Sequence, residues 1–175
     1  AIELNLCHFS TKIKDYAIAV NGKLWPHNVN QTYGSGKNVT VEYAIQQLAE
    51  NKVHDIVRSS IYLTKPIDCV EGTPDFYNMV VIGDYYGSPA ELLEVTKQIE
   101  IECGRPEEHS SDEARTLDLD IILFGDWVVN TPDLVIPHPR AAERAFVLAP
   151  LAELNENFKF PDSKKTCKQL LDELE

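Results

Sequence analysis

Arg115-Thr116-Leu117-Asp118-Leu119-Asp120-Ile121-Ile122-Leu123-Phe124 alternates apolar and acidic side chains before it turns wholly apolar. In a strand, residues two apart share a face. Leu117, Leu119, Ile121 and Leu123 therefore point to a core, while Asp118 and Asp120 project together on the other side. Ile122 and Phe124 continue the aspartate face as apolar residues, which reads as a partly covered cleft. Two neighbouring carboxylates repel each other unless a cation lies between them. Hard oxygen ligands, with water or phosphate completing the shell, are what Mg2+ prefers, and a pair of such ions can bridge carboxylates to a nucleotide polyphosphate. The competing reading is a strand edge that wears solvated aspartates for solubility.

Working outward, Ser88, Pro89 and Glu91 supply an N-cap, a proline at the first helical position and a capping box. Leu92, Leu93, Thr96, Ile99 and Cys103 follow at helical spacing, and Gly104 marks the stop. An earlier helix, roughly 39–52, puts Val41, Ala44, Ile45 and Leu48 on one face, and a third, roughly 166–174, opens with Thr166 and Gln169 in a capping relation. Further strands are read at 55–63 and 76–86, and a short hairpin at 127–136 turns through Asn130-Thr131-Pro132-Asp133. At the N-terminus 2–9 and 16–20 are both strand-like, and the pattern leaves open which is the first core strand. The order is strand, helix, strand, strand, helix, strand. The expected fold is α+β and ferredoxin-like: an antiparallel sheet with helices on one face, plus the short hairpin and a C-terminal helical tail.

A chain of 175 residues is expected to form one domain, 1–175. Its 28 acidic against 16 basic residues, net charge −12, argue against a nucleic-acid or anionic-membrane binder, since either needs a basic surface. A small phosphorylated ligand held by a few local cations stays compatible. The longest apolar runs fall far short of the ~20 residues that cross a bilayer. Cys7, Cys69, Cys103 and Cys167 form no C-x-x-C pair and read as reduced thiols of a cytoplasmic protein. Asn30 and Asn38 head formal glycosylation triplets, read as chance.

Arginine is scarce and local. Of Arg58, Arg105, Arg115, Arg140 and Arg144, four lie between 105 and 144, around the aspartate pair. Guanidinium grips phosphate oxygens bidentately and keeps its charge, so this clustering suits a polyphosphate; helix-surface ion pairs are the plainer alternative. His138, between Pro137 and Pro139, sits in a stiff loop beside Arg140, where a phosphate contact fits. Gly34-Ser35-Gly36-Lys37 fails as a P-loop, because Gln31 and Asn38 stand where that pattern needs Gly and Ser or Thr.

The run RTLDLDIILFG (115–125), followed by IPHPRAAERAFVLAPLAEL (136–154), closely resembles the 6-hydroxymethyl-7,8-dihydropterin pyrophosphokinase family of folate biosynthesis. SSIYLTKPI (59–67), TPDFYNMVV (73–81) and IEIECGR (99–105) fit it in order, so the resemblance covers about 56–162. It implies transfer of the terminal pyrophosphoryl group of ATP to a pterin hydroxymethyl, with release of AMP, on a ferredoxin-like fold. By the same resemblance Asp118 and Asp120 hold two Mg2+ ions, and Arg105 and Arg115, which open and close a loop, grip the phosphates. His138 and Arg144 make further phosphate contacts, and Ile121 and Val135 pack the adenine. Phe76 and Phe146 sandwich the pterin, Asn78 reads its hydrogen-bonding edge, and Thr64 and Ile67 line the pocket. The partners implied are two small molecules, ATP and hydroxymethyl-dihydropterin; oligomeric state is not legible.

Three features depart from the family pattern. The 105–115 loop carries Glu107, Glu108, Asp112 and Glu113 where relatives carry basic residues, a tryptophan and a Gly-Pro. Val20-Asn21-Gly22 is a loose echo of an expected glycine-serine-asparagine turn. Residues 1–50 match poorly and read as a divergent or extended part. These motivate a second reading, a catalytically weakened relative that binds pterin or nucleotide as a regulatory module. An unrelated ferredoxin-like binding domain is the third.

Overall fold

The computed structural model describes residues 15–23, 39–64, 76–103 and 117–174, for 15–23, 39–40 and 76 in their backbone only. Among these residues there are seven strands, β1 (Asp15–Lys23), β2 (His54–Arg58), β3 (Tyr62–Thr64), β4 (Phe76–Asp84), β5 (Leu117–Phe124), β6 (Val129–Asn130) and β7 (Val135–Ile136), with one α-helix between β1 and β2, one between β4 and β5, and two after β7. Of the two N-terminal candidates, 16–20 lies within the core strand β1, while 2–9 falls outside the described residues. The main sheet runs β2-β4-β1-β5, with β3 also on β4, and its pairings are antiparallel. The expected single strand at 55–63 is two pieces. Ser59 fills the break: its N–H donates to Val80 O (2.9 Å) and its Oγ accepts Val80 N–H (3.0 Å).

The alternation at 117–124 survives only as far as Ile121. Leu117, Leu119 and Ile121 are at most 4% exposed and share one core cluster, leaving Asp118 and Asp120 on the opposite face. In the register with β1, Ile18 faces Ile121 and Ala17 faces Leu123, so Ile122 is an inserted bulge residue. The bulge exchanges the faces of the next two residues. Leu123 joins Ile122 in the second core cluster, and Phe124 joins Leu119 in the first. The expectation that Phe124 continues the aspartate face is therefore corrected, while that for Ile122 stands.

Helices α1 (Val39–Glu50) and α2 (Pro89–Glu102) cover the Leu117–Ile121 face, with Val41, Ala44, Leu48, Leu92 and Ile99 meeting Met79 and Val81 of β4. The α2 capping box forms as spelled: Ser88 N–H donates to Glu91 Oε2 (2.7 Å) and Glu91 N–H to Ser88 Oγ (3.2 Å). Helix α3 (Ala145–Asn155), absent from the sequence reading, and α4 (Cys167–Leu174) cover the other face. Helices thus lie on both sides of the sheet, and the C-terminal tail is a packing layer. Val80 and Ile122 meet Val147, Leu148 and Leu151 of α3, with Phe158, Phe160 and Leu170 closing the cluster. Each such side chain contributes about 1.5–3 kcal/mol by leaving water. Among the described residues no helix is long and apolar enough to cross a membrane.

Candidate active site

The face that carries Asp118 and Asp120 also carries Asn78. On β4, Met79 and Val81 point to the α1–α2 core and Val80 to the α3–α4 core, so Asn78 shares the side of Val80 and Ile122. Strand β1 lies between, and Asn21 stands in register with both Asn78 and Asp118. Two inter-strand spacings put Asn78 roughly 10 Å from Asp118 across the sheet.

Beside the aspartates the chain returns from β7 through a cis Ile136–Pro137 bond. His138 N–H donates to the carbonyl of the bulged Ile122 (2.9 Å), which ties this loop to β5. His138 Nε2 consequently lies 3.7 Å and Arg144 Nη1 3.9 Å from Asp120 Oδ2. Both distances exceed hydrogen-bond length. Burial, then the charges of Arg144 and Arg140, push the His138 pKa down to about 4. The imidazole is therefore neutral at pH 7, and its approach to Asp120 is not an ion pair. Arg140 N–H donates to Nδ1 (3.2 Å), which assigns the hydrogen to Nε2, on the Asp120 side. Arg144 precedes α3, and its guanidinium lies 5.4 Å from the Phe146 ring centroid in a cation–π contact. The RAAERAF segment thus delivers a cation and an aromatic face together.

At the other end, Asn78 is 1% exposed and its Nδ2 donates to Thr64 Oγ1 (2.6 Å) and to Tyr62 O (3.4 Å). The amide hydrogens of Asn78 are thereby directed to β3. Phe76 stands opposite Thr64 in the ladder.

Thus Asp118, Asp120, His138, Arg144, Phe146, Asn78 and Thr64 are brought to one face. Ile121 is not: its side chain is 4% exposed inside the α1–α2 core, because strand period two puts it with Leu117 and Leu119. Its backbone shares the outer edge of β5 with that of Leu119. Val135 is exposed on β7, a strand that contacts β5. Arg105, Arg115 and Ile67, the side chain of Phe76, and the 34–37 glycine loop lie outside the described residues.

The sequence reading missed Glu100. This α2 carboxylate is 5% exposed and accepts the N–H of Leu119 (2.7 Å), the residue between the two aspartates. It pins the outer edge of β5. An acidic residue next to Ile99, on the buried stripe of an amphipathic helix, was the available signal.

Among the described residues no three His, Cys, Asp or Glu side chains group to close a metal site. Two carboxylates on one strand face still suit Mg2+, which keeps several waters and takes substrate phosphate as ligand. The thiols of Cys103 and Cys167 are unsuited to this chemistry, since burial pushes both up to about 11.

The model of the 7,8-dihydro-6-hydroxymethylpterin-pyrophosphokinase family matches residues 32–156. The chain is 50% identical over 96 residues to a Bacillus subtilis 2-amino-4-hydroxy-6-hydroxymethyldihydropteridine pyrophosphokinase, over 55% of this chain and 56% of that protein. It is 36% identical to the enzymes of the same name from Pseudomonas aeruginosa (69% of this chain, 72% of the relative) and Haemophilus influenzae (75% and 83%). A Plasmodium falciparum HPPK-DHPS crystal structure with pteroate shares the fold at TM-score 0.63 and 16% identity, covering 94% of this chain and 43% of that one. The chain belongs to the 7,8-dihydro-6-hydroxymethylpterin-pyrophosphokinase family.

Proposed function

We propose that this chain transfers the terminal pyrophosphoryl group of ATP to the hydroxymethyl group of 6-hydroxymethyl-7,8-dihydropterin, releasing AMP, in a cytoplasmic step of folate biosynthesis. The observation that carries the residue assignment is the shared face of Asp118, Asp120 and Asn78, with Arg144 and Phe146 placed beside it by α3. The pterin hydroxyl attacks the β-phosphorus, the α–β bridging P–O bond breaks with AMP as leaving group, and the hydroxyl proton passes to solvent.

Phosphoryl-type transfer needs mainly alignment and charge neutralisation. Two Mg2+ ions bound at this face would neutralise phosphate charge and would acidify the attacking hydroxyl, so that no separate general base would be needed. Asp118 and Asp120 are the residues that hold them. Arg144 adds a fixed cation, and the neutral His138 donates from Nε2 to a phosphate oxygen. Arg105 and Arg115 grip the polyphosphate from the loop they bound. Phe146 and Phe76 stack on the pterin, Asn78 reads its hydrogen-bonding edge, and Thr64 and Ile67 line the pocket. For the adenine, Val135 is the packing residue, while Ile121 contributes only backbone at the β5 edge.

The test is incubation with ATP, Mg2+ and hydroxymethyl-dihydropterin. Pterin-dependent AMP that disappears with EDTA is the expected result. ADP, or no nucleotide change, rejects the reading, and pterin binding without turnover turns it to the binding module.

A further inference from the structure

Three donors from the start of β3 and the residues before it converge on one carboxylate of α3. Ser60 N–H and Ser60 Oγ both donate to Glu153 Oε1 at 2.8 Å, and Tyr62 Oη donates to Glu153 Oε2 at 2.7 Å. These residues are 91 and 93 positions from Glu153, so the contact ties together distant segments. One of those segments reaches the site. Tyr62 is the register partner of Asn78, and its carbonyl accepts from the Asn78 amide, which also bonds Thr64. Phe146 lies seven residues before Glu153, two turns along α3, so both occupy one helix face.

β3 is three residues long and, among the described residues, pairs with β4 alone. Leu63 on it and Ile61 just before it are exposed, at 58% and 41%, so little apolar packing holds it in place. Glu153 itself is solvent-exposed, and exposed polar contacts add little to global stability. Three converging bonds at such a site do more for local geometry than for folding.

We propose that Glu153 is a positioning residue for the pterin pocket, clamping β3, and through it Asn78 and Thr64, at a fixed distance from Phe146. The inference rests on the reading of this face as a pterin site. Glu153 touches no reacting atom; it acts through Tyr62 and Ser60. A glutamine at 153 preserves the geometry, since its Oε1 can accept from Ser60 and its amide can donate to Tyr62 Oη. An alanine removes the clamp.

The test measures pterin affinity by fluorescence titration with Mg2+ and a non-hydrolysable ATP analogue present, alongside KM for each substrate and kcat, in wild type, Glu153→Ala, Glu153→Gln and Tyr62→Phe. Glu153→Ala is expected to weaken pterin binding about 10-fold or more, since small misplacements in a site are costly, while KM for ATP stays within about 2-fold. Glu153→Gln is expected to recover most of the loss. Tyr62→Phe should weaken pterin binding less, and should add little on top of Glu153→Ala, as residues in one network do. Unchanged pterin affinity in folded Glu153→Ala, or equal loss for ATP and pterin, overturns the proposal. If Glu153→Ala does not fold, Tyr62→Phe decides: pterin-selective weakening supports the clamp, and wild-type affinity overturns it. Wild type that binds pterin but releases no AMP refutes the catalytic reading and leaves the affinity comparison to decide the clamp. Wild type that binds no pterin overturns both.

Discussion

The two ends of the candidate site are built on opposite principles. At β5, two carboxylates share a face with a cation beside them: Arg144 Nη1 stands 3.9 Å, and Nε2 of the neutral His138 3.7 Å, from Asp120 Oδ2. At β3, Ser60 and Tyr62 are held to Glu153, and Asn78 to Thr64, by bonds of 2.6–2.8 Å, and a longer bond of 3.4 Å from Asn78 to the Tyr62 carbonyl joins the two groups. Carboxylates with a cation beside them can take up metal and phosphate charge, whereas short bonds hold a shape. The difference separates a half suited to chemistry from a half suited to recognition, and single substitutions should divide the kinetic constants in the same way.

The largest effect is expected at β5. Asp118→Ala or Asp120→Ala should lower kcat by roughly a thousand-fold or more, because the metal-assisted step we propose would lose its ligands, while pterin affinity and thermal unfolding change little. A variant with near-normal kcat would erase the distinction between the two ends. Next is Phe124→Ala, beneath the bulge and fully buried, which should cost about 3–4 kcal/mol of stability. Denaturant titration checks this, and kcat of the protein that remains folded should be preserved. Asn78→Leu should leave kcat within a few-fold and raise KM for the pterin by roughly 30-fold, about 2 kcal/mol for a lost buried polar contact. An equal effect on KM for ATP would contradict the division.

The smallest effect is a titration. Burial, then the hydrogen bond to Glu153 and its charge, push the Tyr62 phenol from the usual 10.0 up to about 12. The folded state holds this proton longer than the unfolded chain, so the associated stability is complete below pH 10 and is lost as pH rises through 12. Tyr62→Phe should remove one phenol that ionises near pH 12 in an ultraviolet titration and make stability less pH-dependent in that window. Loss of a phenol that ionises near the usual 10.0 instead would place Tyr62 outside the recognition network.

Local rules made much of this architecture readable. The period-two run at 117–121 and the Ser88/Glu91 box are local signals, and both elements form where those signals lie. What stayed hidden depends on distant partners. The Ile122 bulge exists only in the register between β5 and β1, and it alone moves Phe124 to the other face. Helix α3 is apolar on most sides, has no side-chain cap and carries Pro150, whose missing N–H breaks the helical bond to the Phe146 carbonyl, so no amphipathic stripe announced it. Of the site, the motif-borne residues Asp118, Asp120, His138, Arg144 and Asn78 were legible. Glu100 and Glu153 were not, since an acid on a helix says nothing about which strand it will meet. Ile121 shows the converse: its core period was already in the run, and its side chain lies in the core accordingly.

The most direct measurement follows the β-phosphate. ATP labelled at that phosphate is given, in a single turnover with Mg2+ and hydroxymethyl-dihydropterin, to the wild type and to Asp120→Ala. The wild type is expected to move the label into pterin diphosphate with one AMP per pterin consumed, and Asp120→Ala to leave it in ATP. Label retained in ADP, or the same transfer by both proteins, would contradict that expectation.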